Sequence, residues 1–275
     1  MYAVTRRPYG ELPEAALRAV EEQVGPSRCA DLGPGDGSGV AALLWTDGPA
    51  GKVFVKGLPE DHERVPELEQ EARVAPFLPA YAPRVLWQVS AGGWRLLGFE
   101  GLTVRPWSNF GTDNDADYLE PAAVILRDLS TRPAPAGALL PVAWNRWGHY
   151  LDDRHRELLQ GETLVHGDPA ATNFLPTPEG PSHLVDWGSS FRGPAWADAA
   201  LWAFRIVTDG HQPFDVALDW ARTIPAFTTA PVEGVRWLAE AEALAWQEHA
   251  ADGDPVLVEI AAGARRWADF WAAQV

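Results

Sequence analysis

The sequence predicts an α+β chain of two lobes, a small antiparallel β lobe followed by a larger, mainly helical one. Three observations carry this. Between Arg28 and Phe99, short apolar runs alternate with turns rich in Gly, Pro and Asp, the signature of consecutive antiparallel strands. From Tyr118 onward the apolar residues fall mainly into the helical period. A pair of short strands interrupts that helical part and carries acids and an asparagine at spacings suited to a reaction centre. With 275 residues, 47% of them hydrophobic, the chain can bury one large core or two modest ones.

Taken in order, Leu12, Ala15, Ala16, Val20 and Val24 recur near helical spacing among Glu14, Arg18, Glu21 and Glu22, so an amphipathic helix is expected over 11–24. Strands follow over 28–32, 40–46 and 52–56, separated by the glycine-rich runs 33–39 and 47–51. A helix over 67–78 and strands over 84–89 and 94–99 complete a lobe of five strands and one helix. Further helices are expected over 122–129, 143–160, 195–207, 213–222, 232–249 and 256–273. One hairpin, 163–165 with 173–175, leads to a run over 183–186. The proline-rich span 131–141 reads as a loop between helices. The lobes divide as 1–100 and 101–275, with the connection near Gly98 to Pro106 and a cleft between them as the natural ligand site.

The charge balance, 38 acidic against 22 basic side chains for a net −16, sets the mean field against nucleic acid and anionic membranes as partners. Cys29 is the only cysteine, which excludes a disulfide framework and a thiolate zinc cluster and points to the cytoplasm. No run approaches the roughly 18 apolar residues of a membrane span. Fourteen tryptophans suggest aromatic-rich cores before they suggest ligand cages.

The chemistry-bearing segment is Leu164-Val165-His166-Gly167-Asp168, with Asn173 five positions after Asp168 and Asp186 thirteen after Asn173, in His183-Leu184-Val185-Asp186-Trp187-Gly188. Such a strand-borne loop can offer Asp168 to an acceptor hydroxyl while the Asn173 amide oxygen and the Asp186 carboxylate hold Mg2+ on nucleotide phosphates. Phosphoryl transfer asks the protein mainly for positioning and charge neutralisation. Singly, each residue reads as a turn or a helix cap. Together, the two spacings and the apolar strand before each acid favour the reaction centre.

This pattern resembles the aminoglycoside phosphotransferase and choline kinase branch of the protein-kinase-like superfamily, whose catalytic loop reads His-Gly-Asp with Asn five residues on. The resemblance runs from about Arg28 to Trp202 and implies a two-lobed protein-kinase-like fold, with 1–100 as the nucleotide-binding lobe and 101–275 carrying the catalytic loop, His166 included, and the acceptor site. It implies that Lys56, in Val53-Phe54-Val55-Lys56, contacts the α and β phosphates, with Glu71 of the next helix as its partner. It implies that Phe99, Glu100 and Gly101 meet the nucleotide base through their backbone. In Gly193-Pro194-Ala195-Trp196-Ala197-Asp198, Asp198 matches a buried acid that fixes the catalytic loop.

The glycine run Asp31-Leu32-Gly33-Pro34-Gly35-Asp36-Gly37-Ser38-Gly39 also resembles the first motif of S-adenosylmethionine-dependent methyltransferases. In that fold the loop opens a helix, and an acid ends the next strand to hold the ribose. Here the next strand ends in Lys56, and that reading leaves 166–186 unexplained. In the kinase reading, Gly35 and Gly37 lend backbone amides to the phosphates.

The donor is thus ATP or GTP with Mg2+. The acceptor is a small hydroxylated molecule, first an aminoglycoside-like antibiotic, because Asp209, Asp215, Asp219, Glu233, Glu240 and Glu242 could face a polycation. The alternatives are a choline, homoserine or sugar kinase and a nucleotide-binding module without catalysis. Oligomeric state is not encoded in any motif.

Overall fold

The computed structural model describes residues 6–32, 39–49, 51–104, 115–178 and 180–274, with side chains from 118 in the fourth stretch. The chain opens with a 3-10 turn, Tyr9–Glu11, and then helix α1, Glu14–Val24. The helix starts later than its apolar spacing suggests because Pro13 occupies the N-cap and its ring fixes the entry angle. It stops at Gly25, whose φ of 73° suits glycine.

Five antiparallel strands follow: β1 (Ser27–Asp31), β2 (Val40–Thr46), β3 (Lys52–Pro59), β4 (Val85–Ala91) and β5 (Trp94–Glu100), in the order β1-β2-β3-β5-β4. The period of two sorts their side chains. Ala42, Leu44, Val53 and Val55 bury one face against Leu12, Ala16 and Val20 at α1. Phe54 and Leu58 join Leu97 and Phe99 on the other face, against Leu68 of α2 (Val65–Val74). Each fully buried aliphatic side chain contributes roughly 1.5–3 kcal/mol, so the two faces hold the sheet between helices, with Lys56 projecting on the α2 side. Pro76 confines α2 to Val74 and leaves a 3-10 turn, Ala75–Phe77, where the sequence suggests helix to 78. The β2 strand also disposes of the methyltransferase geometry, because residues 40–46 pair antiparallel with β1 and β3 instead of forming a helix.

The second lobe contains α3 (Asp115–Leu129), α4 (Ala143–Trp147), β6 (Thr163–Val165), β7 (Phe174–Leu175), β8 (His183–Leu184), β9 (Phe191–Gly193), α5 (Ala197–Thr208), α6 (Phe214–Arg222), α7 (Pro225–Thr228), α8 (Val232–His249) and α9 (Pro255–Ala272). Every residue of α5 is buried; it is the axis around which α6, α8 and α9 pack.

Two expectations fail here. The predicted helix 143–160 is one short helix and two 3-10 segments, Gly148–Tyr150 and Asp153–Leu159. Leu151 and Asp152 are extended, and Gly148 lies so close to the Trp144 indole that a Cβ would approach it to 2.6 Å. The strand 163–165 does not pair with 173–175 but with β9, whereas β7 pairs with β8. Asn173 itself ends a 3-10 turn, Ala171–Asn173. Among the described residues no helix is long and apolar enough to cross a membrane.

Candidate active site

Lys56 lies within hydrogen-bond reach of two acids. Its Nζ is 2.9 Å from Glu71 Oε2 and 2.5 Å from Asp186 Oδ1. The three residues come from β3, α2 and the turn after β8, so one cation joins the lobes. Burial works against the Lys56 charge, and the two carboxylates override it and raise the pKa. Lys56 reciprocally holds the Asp186 carboxyl below its ordinary range. Burial pushes the Glu71 carboxyl up, with Lys56 and the Trp187 amide pulling the other way. Glu71 Oε1 accepts that Trp187 N–H at 3.1 Å, and Gln70 donates to the carbonyls of Gly188 and Ser190 at 2.9 and 2.5 Å. The helix is therefore fastened along the whole turn that carries Asp186. Asp186 sits at φ 66°, ψ 60°, a left-handed conformation that costs a non-glycine residue of order 1–3 kcal/mol and clusters at functional sites.

The loop after β6 is fixed from beneath. Asp198, at the start of α5, accepts the backbone N–H of His166 at 2.8 Å and of Gly167 at 2.9 Å. Burial raises the Asp198 carboxyl despite these two bonds. His166 is fully buried; its Nδ1 accepts the Asp168 N–H at 3.2 Å, so Nε2 carries the proton and donates to Val185 O at 2.9 Å. That bond ties Asp168 to the strand leading to Asp186, giving His166 a structural position between the two acids. Gly167 has φ +84°, and a Cβ there would lie 2.4 Å from Ser189 O, which accounts for glycine at this step.

Asp168 emerges half-buried. Asn173 Nδ2 donates to its carbonyl at 2.9 Å and to Oδ2 at 3.2 Å, and Arg205 Nη2 of α5 stands 2.5 Å from Oδ1. Burial pushes the carboxyl up, and the groups around it, Arg205 foremost with His166 and Arg146, together more than offset this, leaving the group below its usual value. Sequence reading missed Arg205. Its signal is a lone charge in the otherwise apolar run Ala199-Ala200-Leu201-Trp202-Ala203-Phe204-Arg205-Ile206-Val207, because a buried cation needs a partner.

The donor set suits Mg2+. Both Asn173 amide hydrogens lie on the Nδ2 side that faces Asp168, so Oδ1 is free of that bond, and Asp186 adds a carboxylate. Magnesium favours one or two such oxygens plus phosphates and water. Among the described residues no group of three or more His, Cys, Asp or Glu could hold a metal by itself.

The other expected contacts are less direct. Gly35 and Gly37 lie outside the described residues. Phe99 packs with Phe54 on the α2 face, ring centroids 6.0 Å apart. The Glu100 amide donates to Arg84 O at 2.9 Å and the Gly101 amide to Lys52 O at 3.0 Å, so those two N–H groups are engaged within the protein. The Glu100 carboxylate takes Arg84 Nε at 2.9 Å.

Solved structures share this architecture. Aminoglycoside phosphotransferase APH(4)-Ia, as a thermostable mutant in ternary complex with ADP and hygromycin B, superposes with a TM-score of 0.65 at 14% identity, over 92% of this chain and 96% of that one. An aminoglycoside-3'-phosphotransferase of type VIII gives 0.60 at 18% identity, over 82% and 97%. Macrolide 2'-phosphotransferase MphH from Brachybacterium faecium gives 0.53 at 18%, over 90% and 97%. This is the two-lobed kinase-like fold. No model of a known protein family and no curated protein matches the sequence. The likeness is therefore one of fold, on which the expected two-lobed α+β architecture agrees with the observed one.

Proposed function

We propose that the chain is a small-molecule kinase, transferring the γ-phosphoryl group of ATP or GTP to a hydroxyl of an antibiotic or a related metabolite. The observation that carries this reading is the convergence of Lys56, Glu71 and Asp186 from one side and Asp168 and Asn173 from the other, at hydrogen-bonding distances within each group. In this reading residues 1–100 hold the nucleotide, and 101–275 bring the catalytic loop and the acceptor.

The roles follow from chemistry. The acceptor oxygen attacks the γ-phosphorus, the bond to the bridging β-phosphate oxygen breaks, and the hydroxyl proton passes to Asp168. Arg205 and Asn173 keep that carboxylate ionised and aimed, and they leave lone pairs free to accept from the hydroxyl. A low pKa is acceptable in such a base because a loose phosphoryl-transfer transition state asks little proton abstraction of it. Lys56 turns donors toward the nucleotide phosphates. Asn173 and Asp186 would hold Mg2+, which when bound neutralises charge on the phosphate oxygens. Similar solved structures include one in ternary complex with AMP-PNP and hygromycin B, which supports a nucleotide and a hydroxylated small molecule as the two substrates.

A metabolite acceptor remains the second reading, and one observation favours it. Asp209, Asp219, Glu233 and Glu240 are each paired with an arginine, Arg205, Arg222, Arg236 and Arg265. Glu242 is buried, and Asp215 Oδ1 takes the Val216 N–H at 2.9 Å. The acids expected to greet a polycation thus have partners already. The test is a panel of aminoglycosides, macrolides, choline, homoserine and sugars with Mg2+ and either nucleotide, read by mass spectrometry. A product heavier by one phosphoryl group supports the kinase and names the acceptor class, and nucleotide turnover absent across the panel counts against catalysis.

A further inference from the structure

The mechanism leaves one buried carboxylate unused. Glu242, in the middle of α8, is 4% exposed and surrounded by donors. Its Oε1 accepts the Trp147 indole N–H at 2.7 Å and lies 3.4 Å from Arg146 Nη2; its Oε2 accepts the Trp246 indole N–H at 3.1 Å. Each tryptophan presents its ring face to an arginine. The Arg146 guanidinium carbon is 4.7 Å from the Trp147 ring centroid, and that of Arg205 is 5.0 Å from the Trp246 centroid. Each arginine then grips the catalytic loop: Arg146 donates to Gly167 O at 2.7 Å, and Arg205 meets Asp168 Oδ1 at 2.5 Å.

We propose that Glu242 is a positioning residue that clamps the catalytic loop from both sides, through the pairs Trp147–Arg146 and Trp246–Arg205, so that α8 sets the aim of Asp168. The role in turnover rests on the kinase reading; the clamp itself does not. A buried carboxylate needs several donors to offset its desolvation, and here those donors belong to the two rings on which the arginines lie. Arginine's planar fork is well suited to the arrangement, since one face stacks while the edge donates. An indole released from Glu242 can tilt and carry its guanidinium with it, and misplacement of a reacting group by about 1 Å can cost on the order of 100-fold in rate.

The test uses the full chain and the variants E242Q and W246F. An amide keeps the volume but has one acceptor oxygen, so its NH2 must face one of the indole N–H groups. W246F keeps a ring under Arg205 and removes its anchor. The expected result for E242Q is a kcat lower by about tenfold or more, with the nucleotide KM within about twofold of wild type, because the nucleotide contacts lie on the Lys56 side. Amide hydrogen exchange in the segment 164–175 should quicken while that of β1–β5 stays unchanged. W246F should show the same split more weakly, and the double variant should be no slower than E242Q. A purely structural role would lower the melting temperature and leave kcat per folded molecule and loop exchange as in wild type; that outcome in folded E242Q overturns the proposal. If E242Q does not fold, W246F decides by the same two readouts. If wild type itself transfers no phosphate, the kinase reading fails, and loop exchange alone decides whether the clamp exists.

Discussion

On the β side of the centre one cation, Lys56, stands between two acids, Glu71 and Asp186. On the helical side one cation, Arg205, also stands between two acids, Asp168 and Asp209. The resemblance ends there. Lys56 is a point charge on a flexible stem, with donors that can turn toward an arriving phosphate. Arg205 is a rigid fork lying on Trp246 and fixed to the acid it serves. Under the proposed function the centre pairs an exchangeable cation, which would hand its charge to the substrate, with a fixed cation, which keeps a carboxylate aimed.

The largest effects are expected at the acids and cations themselves. Asp168→Asn should lower kcat by about 10²–10⁴-fold, the usual contribution of a positioned acid or base, with nucleotide affinity kept; steady-state kinetics and nucleotide titration read both. Lys56→Met should cost about 10²–10³ in kcat/KM, as loss of one aimed donor does, and should raise the nucleotide KM as well. If nucleotide affinity in that variant equals wild type, Lys56 is a structural tie and the contrast with Arg205 collapses. Asp198→Ala leaves two buried loop amides without an acceptor and should destabilise the fold by at least about 2 kcal/mol in urea unfolding, at 1–3 kcal/mol for each unsatisfied group.

Smaller effects sharpen the contrast. Arg205→Lys keeps the charge and loses the fork, so kcat should fall by roughly tenfold, or about 1.4 kcal/mol, with nucleotide KM unchanged. Acid titration gives the least. Asp168 binds its proton less readily in the folded chain than unfolded, so its stabilisation is complete above the ordinary aspartate value near 4 and is lost as pH falls through the lower folded value. The stability gap between wild type and Arg205→Gln should accordingly narrow as pH drops below about 4, measured by urea midpoints. A gap that widens with acid would reverse the sign.

The two sides also differ in what the sequence could reveal. Strands β2 and β5 were legible as short apolar runs between turns, with no clean alternation of buried and exposed positions, and helices α8 and α9 by helical spacing; Lys56 lies at a defined place in the same series of strands. The spacing of Asp168, Asn173 and Asp186 is likewise local information, set by one turn and one short hairpin. The pairing of β6 with β9 was not legible, because three-residue strands carry no periodicity and the partner lies beyond Asp186. The break after the short helix α4 was hidden by helix-compatible residues on both sides, the backbone turning extended only at Leu151 and Asp152. Arg205 and Glu242 lie 37 and 74 residues beyond Asp168, separations that only tertiary packing spans.

In the proposed reaction Asp168 receives the proton of an acceptor hydroxyl while the γ-phosphoryl group leaves the nucleotide. The most direct test compares wild type and Asp168→Asn on whichever member of the acceptor panel gains a phosphoryl group, with Mg2+, nucleotide and both proteins verified as folded. A product formed by wild type, and slowed by at least about 100-fold in the variant, is the predicted result. Equal rates of phosphorylated product from the two proteins would contradict the assignment of Asp168.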